Sequence, residues 1–203
     1  MAEPEPPIHR DGRAERGEAT RAALVRAAGE LFAERGYAAV GTNDVVRHAG
    51  VTRGAMYHHF RDKKELFRAA YEETEKYLVE GLAARLETIE DPWEALVTGM
   101  RSFFDIASDP KLMQMGLIDA PAVLGWAEWR EIGNRYGLGI TTEGLQRAMD
   151  AGILRQADVR PLAHLLLGAL GEAAMLLASA EDPRAAREEV EGTLLLLLEG
   201  LRA

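Results

Sequence analysis

The stretch TNDVVRHAGVTRGAMYHHF, residues 42–60, restricts the fold more than any other part of this 203-residue chain. It reads as two short helices joined by a tight turn. Val45, Val46 and Ala49 give the first helix an apolar stripe, and Gly50 is the residue most easily placed at positive φ where that helix must stop. Val51 then fills the corner. Thr52 is positioned to cap the second helix, whose Met56 and Phe60 turn inward at i,i+4 spacing and leave Arg53, Gly54, Ala55 and His58 facing out. A polar, partly basic face on so short a helix suits a DNA groove.

These residues resemble a known family. Ala49-Gly50-Val51, Tyr57-His58-His59-Phe60 and the following Asp62-Lys63-Lys64-Glu65-Leu66-Phe67 are similar to the DNA-binding domain of TetR-family (tetracycline-repressor-like) transcriptional regulators. The similarity extends back to Thr20 and forward into the fourth helix. It implies an all-α protein in which a three-helix head is joined by a long helix 4 to a helical ligand-binding and dimerisation domain. It also implies that Tyr57, His58 and Lys63, with the amides at the start of helix 4, hold phosphates. Position alone places Arg53, one step past its cap, to reach guanine O6 and N7, while Thr52 opens the helix and Gly54 and Ala55 permit close approach to the groove floor. Thr42, the expected N-cap of the preceding helix, and Asn43 would touch backbone or base edges from there.

The net charge of −9 is unfavourable for a DNA binder until it is divided along the chain. Residues 10–64 hold 11 Lys/Arg against 7 Asp/Glu, whereas residues 65–203 hold 13 against 24. A basic head on an acidic body can find phosphate while the body repels it. The plainer reading is that most of these charges are solvated helix faces. Residues 1–19 are rich in Pro, Glu, Arg and Gly and are expected to be a disordered arm, whose Arg10, Arg13 and Arg16 either lie along a duplex or are simply solvated.

The helical pattern is continuous after that arm. Helix 1 is expected from Thr20 as N-cap to Gly36, within a head spanning residues 20–66. Asp62 and Glu65 form a capping-box pattern for a helix 4 that reaches about residue 86. Asp-Pro pairs at residues 91–92, 109–110 and 182–183 each read as an N-cap followed by proline at the first helical position. Further helices are expected over 92–107, 110–118, 121–150, 159–180 and 183–201, the third weakened by Gly133, Gly137, Gly139 and Gly144. The chain as a whole reads as all-α with about nine helices, residues 67–203 forming the second domain.

That second domain gathers Phe103, Phe104, Met113, Leu117, Trp126, Trp129 and Tyr136, which fit either a packed core or an adaptable apolar pocket. The family resemblance implies a pocket holding a small apolar or aromatic inducer, with Asp119, Glu128 or Arg130 as polar contacts. The acidic run of Glu72, Glu73 and Glu75 reads as a solvated helix face. Toward the C-terminus, Leu166, Leu170, Ala174 and Leu177 on one helix and Leu194, Leu197, Leu198 and Leu201 on another form apolar stripes wide enough for a homodimer interface. A monomer burying both helices internally is the alternative.

Other classes find less support. The chain has no cysteine, which removes disulfides and thiolate metal sites and fits a cytoplasmic protein. No cofactor is expected, and no metal, since the adjacent His58 and His59 diverge by about 100° on a helix. No catalytic residue emerges, because G-x-S-x-G, Walker-type and H-E-x-x-H motifs are all absent from the sequence. Neither a signal peptide nor a membrane span is read. The resemblance, taken with these absences, implies a cytoplasmic, ligand-responsive repressor that binds a palindromic double-stranded DNA operator as a dimer. The competing expectation is a helical ligand-carrying or partner-binding protein that no longer uses its head on DNA.

Overall fold

The computed structural model of the protein describes residues 11–203. It contains ten α-helices and one π-helical segment among those residues: α1 Asp11–Ala39, α2 Thr42–His48, α3 Arg53–His59, α4 Lys63–Glu87, α5 Pro92–Ala107, α6 Pro110–Met113, π Gln114–Asp119, α7 Ala120–Leu124, α8 Trp126–Asp150, α9 Val159–Ser179 and α10 Pro183–Glu199. The π segment joins α6 to α7 without leaving helical backbone, so the chain presents nine helical rods. The only extended pairing among the described residues is one isolated bridge between Leu154 and Arg202.

Local chemistry accounts for most helix ends. Each Asp-Pro pair behaves as expected: the Asp91 carboxylate accepts from the amides of Trp93 and Glu94, Asp109 from Lys111 and Leu112, and Asp182 from Arg184 and Ala185. Asp62 caps α4 by accepting from the Glu65 amide at 2.8 Å, while Glu65 reaches back one residue further than in a standard capping box, to the Arg61 amide at 2.8 Å.

Three expectations change. Helix α1 begins at Asp11 rather than Thr20, so residues 11–19 are helical and not a disordered arm; Arg10 and the rest of that arm lie outside the described residues. Thr20 sits inside the helix and donates its hydroxyl to the Arg16 carbonyl at 2.8 Å. The backbone does leave helical geometry at Gly36, where φ is 75°. The cap of α2 is Gly41 and not Thr42. Finally, the glycines of residues 133–144, expected to weaken their helix, leave α8 unbroken, and the helix expected over 121–150 is interrupted instead at Gly125, with φ 91°. Tertiary packing explains that continuity, since a Cβ on Gly137 would come within 3.2 Å of Leu167 and one on Gly144 within 3.1 Å of Leu96. Close approach by α9 and α5 occupies the space those side chains would fill.

The chain divides into two compact units, the first ending at Ala70 and the second covering Tyr71–Ala203. This boundary falls inside α4, four residues beyond the expected end of the head at 66. In the first unit Leu24, Ala28, Leu31 and Phe32 of α1 pack with Val45, Met56, Leu66 and Phe67. The rings of Phe32, Tyr37 and Phe67 form a mutual cluster with centroids 5.1 to 5.6 Å apart. In the second unit, Met100, Phe104, Leu170, Leu177, Leu194 and Leu198 form one core cluster, and Leu145, Met149, Leu154 and Ala163 form another. Arg155 donates to the carbonyls of Gly200 and Arg202, and the Arg202 guanidinium lies 4.6 Å from the Trp93 ring centroid.

Phe32 is fully buried at the centre of the aromatic cluster. Truncating it to alanine is expected to cost about 3–5 kcal/mol, read as a lowered urea midpoint, through the lost apolar burial and the cavity left behind.

Candidate DNA interface and ligand cavity

The head builds its outward face by fixing the inward one. Gly50 closes α2 at φ 66°, Thr52 accepts from the Ala55 amide at 3.2 Å to start α3, and Met56 and Phe60 are buried. Arg53, Gly54, Tyr57 and His58 are thereby left exposed, with Ala55 partly so. A Cβ built on Gly54 would meet no other atom within 4 Å, so the internal structure does not require glycine there.

Tyr57, Arg53 and Thr42 are joined. The Arg53 guanidinium lies 5.5 Å from the Tyr57 ring centroid, and the Tyr57 hydroxyl oxygen accepts from the side chains of Arg53 and Thr42. These contacts, that of Arg53 foremost, lower the Tyr57 pKa. Accepting from two donors leaves the phenol's own O–H available to donate. Asn43 is exposed beside this group. On α2, Asp44 accepts from the Gly41 amide at 3.0 Å and from Arg47 at 2.6 Å, and its carboxyl is held below the usual range, first by the Gly41 bond.

Lys63 is placed differently from the expectation. Its ammonium donates to the Tyr37 carbonyl and sits 3.9 Å from the Tyr37 ring centroid, within the head. The neighbouring Lys64 is the exposed member of the pair. Helical spacing carries the signal for this, because Lys63 lies four residues before buried Phe67 on α4. His58 and His59 meet edge to face at 5.2 Å, and His48 pairs with Glu30 at 2.7 Å.

The second unit contains a cavity of about 270 Å³ whose wall comes from α4, α5, α6, the π segment, α8, α9 and α10. Four expected residues line it: Phe103, Met113, Leu117 and Trp129. Three do not. Phe104 is fully buried in the core and meets Phe103 edge to face at 5.8 Å; Trp126 is 53% exposed, packed on Trp129 at 4.7 Å; and Tyr136 is partly buried away from the wall. Of the proposed polar contacts Arg130 lines the cavity, whereas Glu128 and Asp119 do not, Asp119 accepting from Gln114 at 3.1 Å.

The wall also contains Glu75, read from sequence as solvated. Its neighbours in the acidic run behave as surface groups, Glu72 pairing with Arg135 at 2.8 Å and Glu73 being exposed. Glu75 instead follows Tyr71 by four residues and precedes Leu78 by three, so it belongs to the apolar face of α4. Burial pushes its carboxyl up to about 7, a shift moderated by a hydrogen bond from the Tyr71 hydroxyl. Burial likewise raises Tyr71, and Trp129 donates its indole N–H to the Gly116 carbonyl at 2.8 Å while also bonding the Tyr71 oxygen.

The leucines expected at an interface are mostly internal. Leu170, Ala174, Leu177, Leu194 and Leu198 are buried in the unit's own core, and Leu166 and Leu201 pack against it. Of the expected residues Leu197 stays uncovered, and it is joined by Leu165 and Leu176 on α9 and by Leu196 on α10, each of the four 52–72% exposed. Helix α9 is long and apolar enough to cross a membrane, and 28% of its most apolar window is buried. Glu172 lies exposed between Leu165 and Leu176 on that uncovered face.

Comparison with known proteins agrees with this architecture. Residues 24–70 match the family of bacterial regulatory proteins of the tetR type, and residues 93–201 match the tetracyclin repressor-like C-terminal domain. The chain is 28% identical over 149 residues to the transposon Tn10 TetC protein of Escherichia coli, covering 73% of this chain and 75% of that one. It is 36% identical over 85 residues to the HTH-type transcriptional activator FasR of Mycolicibacterium smegmatis, covering 42% and 39% of the two chains. Among solved structures, a TetR-family transcriptional regulator from Pectobacterium atrosepticum superposes with a TM-score of 0.84 at 38% identity, over 94% of this chain and 97% of that one. The resorcinol complex of RolR shares the fold, with a TM-score of 0.72 at 22% identity over 91% and 90%. From its head through its C-terminal domain, the chain belongs to the TetR family of transcriptional regulators.

Proposed function

We propose that this DNA-binding regulator is a cytoplasmic homodimeric repressor whose two α3 helices enter successive major grooves of a palindromic operator and leave it when a small, largely apolar ligand fills the cavity. The observation that carries the DNA reading is the outward cluster of Thr42, Arg53 and Tyr57 beside the bare backbone of Gly54. Arg53 uses one side of its guanidinium on Tyr57 and retains further N–H donors for a guanine edge. Tyr57 and His58 hold phosphate, as does Lys64, which takes the place first given to Lys63. Thr52 caps the reading helix, and Asn43 contacts the flanking backbone.

The dimer reading rests on the uncovered leucines of α9 and α10. A second copy covers them isologously, and the small, exposed Gly192 on α10 admits close packing. Two-fold symmetry then sets the reading helices about 34–36 Å apart. Helix α4 is the coupling element, because its Leu66 and Phe67 are core residues of the head while Tyr71, Glu75, Leu78 and Leu82 line the cavity. A ligand that changes the second half of this rod changes the operator spacing. Linkage requires that operator binding weaken ligand binding by the same factor, typically about 5–150-fold.

With an operator selected from random duplexes, Arg53→Ala is expected to cost about 1–3 kcal/mol in fluorescence anisotropy and to relax one base pair. Lys64→Ala should instead weaken all sequences alike and lower the salt slope by about one. Affinity that does not fall with rising salt would favour a protein that no longer uses its head on DNA. Sedimentation velocity tests the assembly: Leu196→Glu should convert a micromolar dimer to monomer while leaving helical content unchanged.

A further inference from the structure

One carboxyl group interrupts an otherwise apolar part of the cavity. The charged side chains on the wall are Glu75 and Glu87 from α4 and Arg130, Glu143 and Arg147 from α8; the segments from α5, α6, the π turn, α9 and α10 contribute none. Glu87, Arg130 and Glu143 are exposed. Arg147 donates to the Ile89 carbonyl at 3.2 Å, beyond the far end of α4, about 18 Å along the helix from Glu75 at 1.5 Å per residue. Arg130 approaches α9, where a Cβ on Gly168 would lie 3.3 Å from its guanidinium. Neither arginine figures among the influences on Glu75, which are burial and Tyr71 alone.

The hydrogen bonds around Glu75 have a direction. Trp129 donates toward Gly116 and Tyr71, and Tyr71 donates to Glu75, so the chain ends on a carboxyl group that, once ionised, only accepts. One hydroxyl leaves most of the lone pairs of a carboxylate unmatched, and a buried carboxylate without a cation is costly. A ligand group meeting this end must donate, and a positive charge offsets most of the cost. A carboxylate ligand would be repelled there.

We infer that the cavity takes a compact, largely apolar amine, with its ammonium group against the Glu75 carboxylate and its hydrocarbon body among Leu78, Leu82, Phe103, Met113 and Trp129. This rests on the reading of the cavity as the ligand site. Because Glu75 titrates near 7 in the empty protein, an ammonium ion must displace its proton at lower pH. Amine affinity therefore rises with pH, by up to tenfold per unit below about pH 7, and levels off above it.

Isothermal titration of the full chain with 1-naphthylmethylamine, 1-naphthylmethanol and 1-naphthoate separates the readings. The amine is expected to bind at least tenfold more tightly than the alcohol at pH 7.5, with naphthoate weakest, and to lose that advantage at pH 5.5. Glu75→Gln should abolish the amine's advantage and leave the alcohol unchanged; the pH profile of the native chain decides the matter even if that variant does not fold. Alcohol or naphthoate binding as tightly as the amine, or a pH-independent amine affinity, overturns the inference while leaving the cavity as a ligand site. Binding by none of the three overturns both.

Discussion

The structure depends on α4 being one uninterrupted helix that must satisfy two cores. Its first two turns give Leu66, Phe67 and Ala70 to the head, and its remaining turns give Tyr71, Leu78 and Leu82 to the second unit. Such a rod cannot fray at its start without loosening the head. Accordingly its entry is held by Asp62 on the Glu65 amide, by Glu65 on the Arg61 amide, and by Lys63 on the Tyr37 carbonyl. The last of these brings a cation into a cluster of three aromatic rings, where it joins helix start and ring cluster.

The head shows how a small recognition surface is assembled from local rules. Positive φ at Gly50, the Thr52 cap and the burial of Met56 and Phe60 each constrain one end or one face of α3. What remains outward is organised by contacts among the outward groups themselves, Tyr57 receiving hydrogen bonds from Arg53 and Thr42. Such contacts restrict the rotamers of the arginine and lower the conformational entropy it would lose on binding any partner. The surface thus carries part of its order before any partner arrives.

Legibility in the sequence followed the range of the forces involved. The turn at Gly50 and the three Asp-Pro caps depend on a few adjacent atoms, and the sequence identifies them. The start of α1 was missed because composition near Arg16 and Glu18 is polar, and nothing local forbids a helix from running back through it. Glu75 was misread because acidic neighbours disguised its phase, although Tyr71 and Leu78 mark that phase in the sequence. The leucines of α9 and α10 were misassigned between core and exterior because residues 194–198 are all leucine, and only tertiary packing selects Leu194 and Leu198 as the inward pair. The continuity of α8 likewise depends on Leu167 and Leu96 occupying the space beside two of its glycines.

The π segment at Gln114–Asp119 supplies Met115, Gly116 and Leu117 to the cavity wall. A π turn holds one residue more than the α-helix it interrupts. Deleting a single residue there would restore α geometry, rotate the neighbouring side chains by about 100° and remove the Gly116 carbonyl from Trp129, while the helices on either side kept their own hydrogen bonds. The shape of the cavity wall therefore depends on a single residue of excess in one turn, and the head takes no part in that turn.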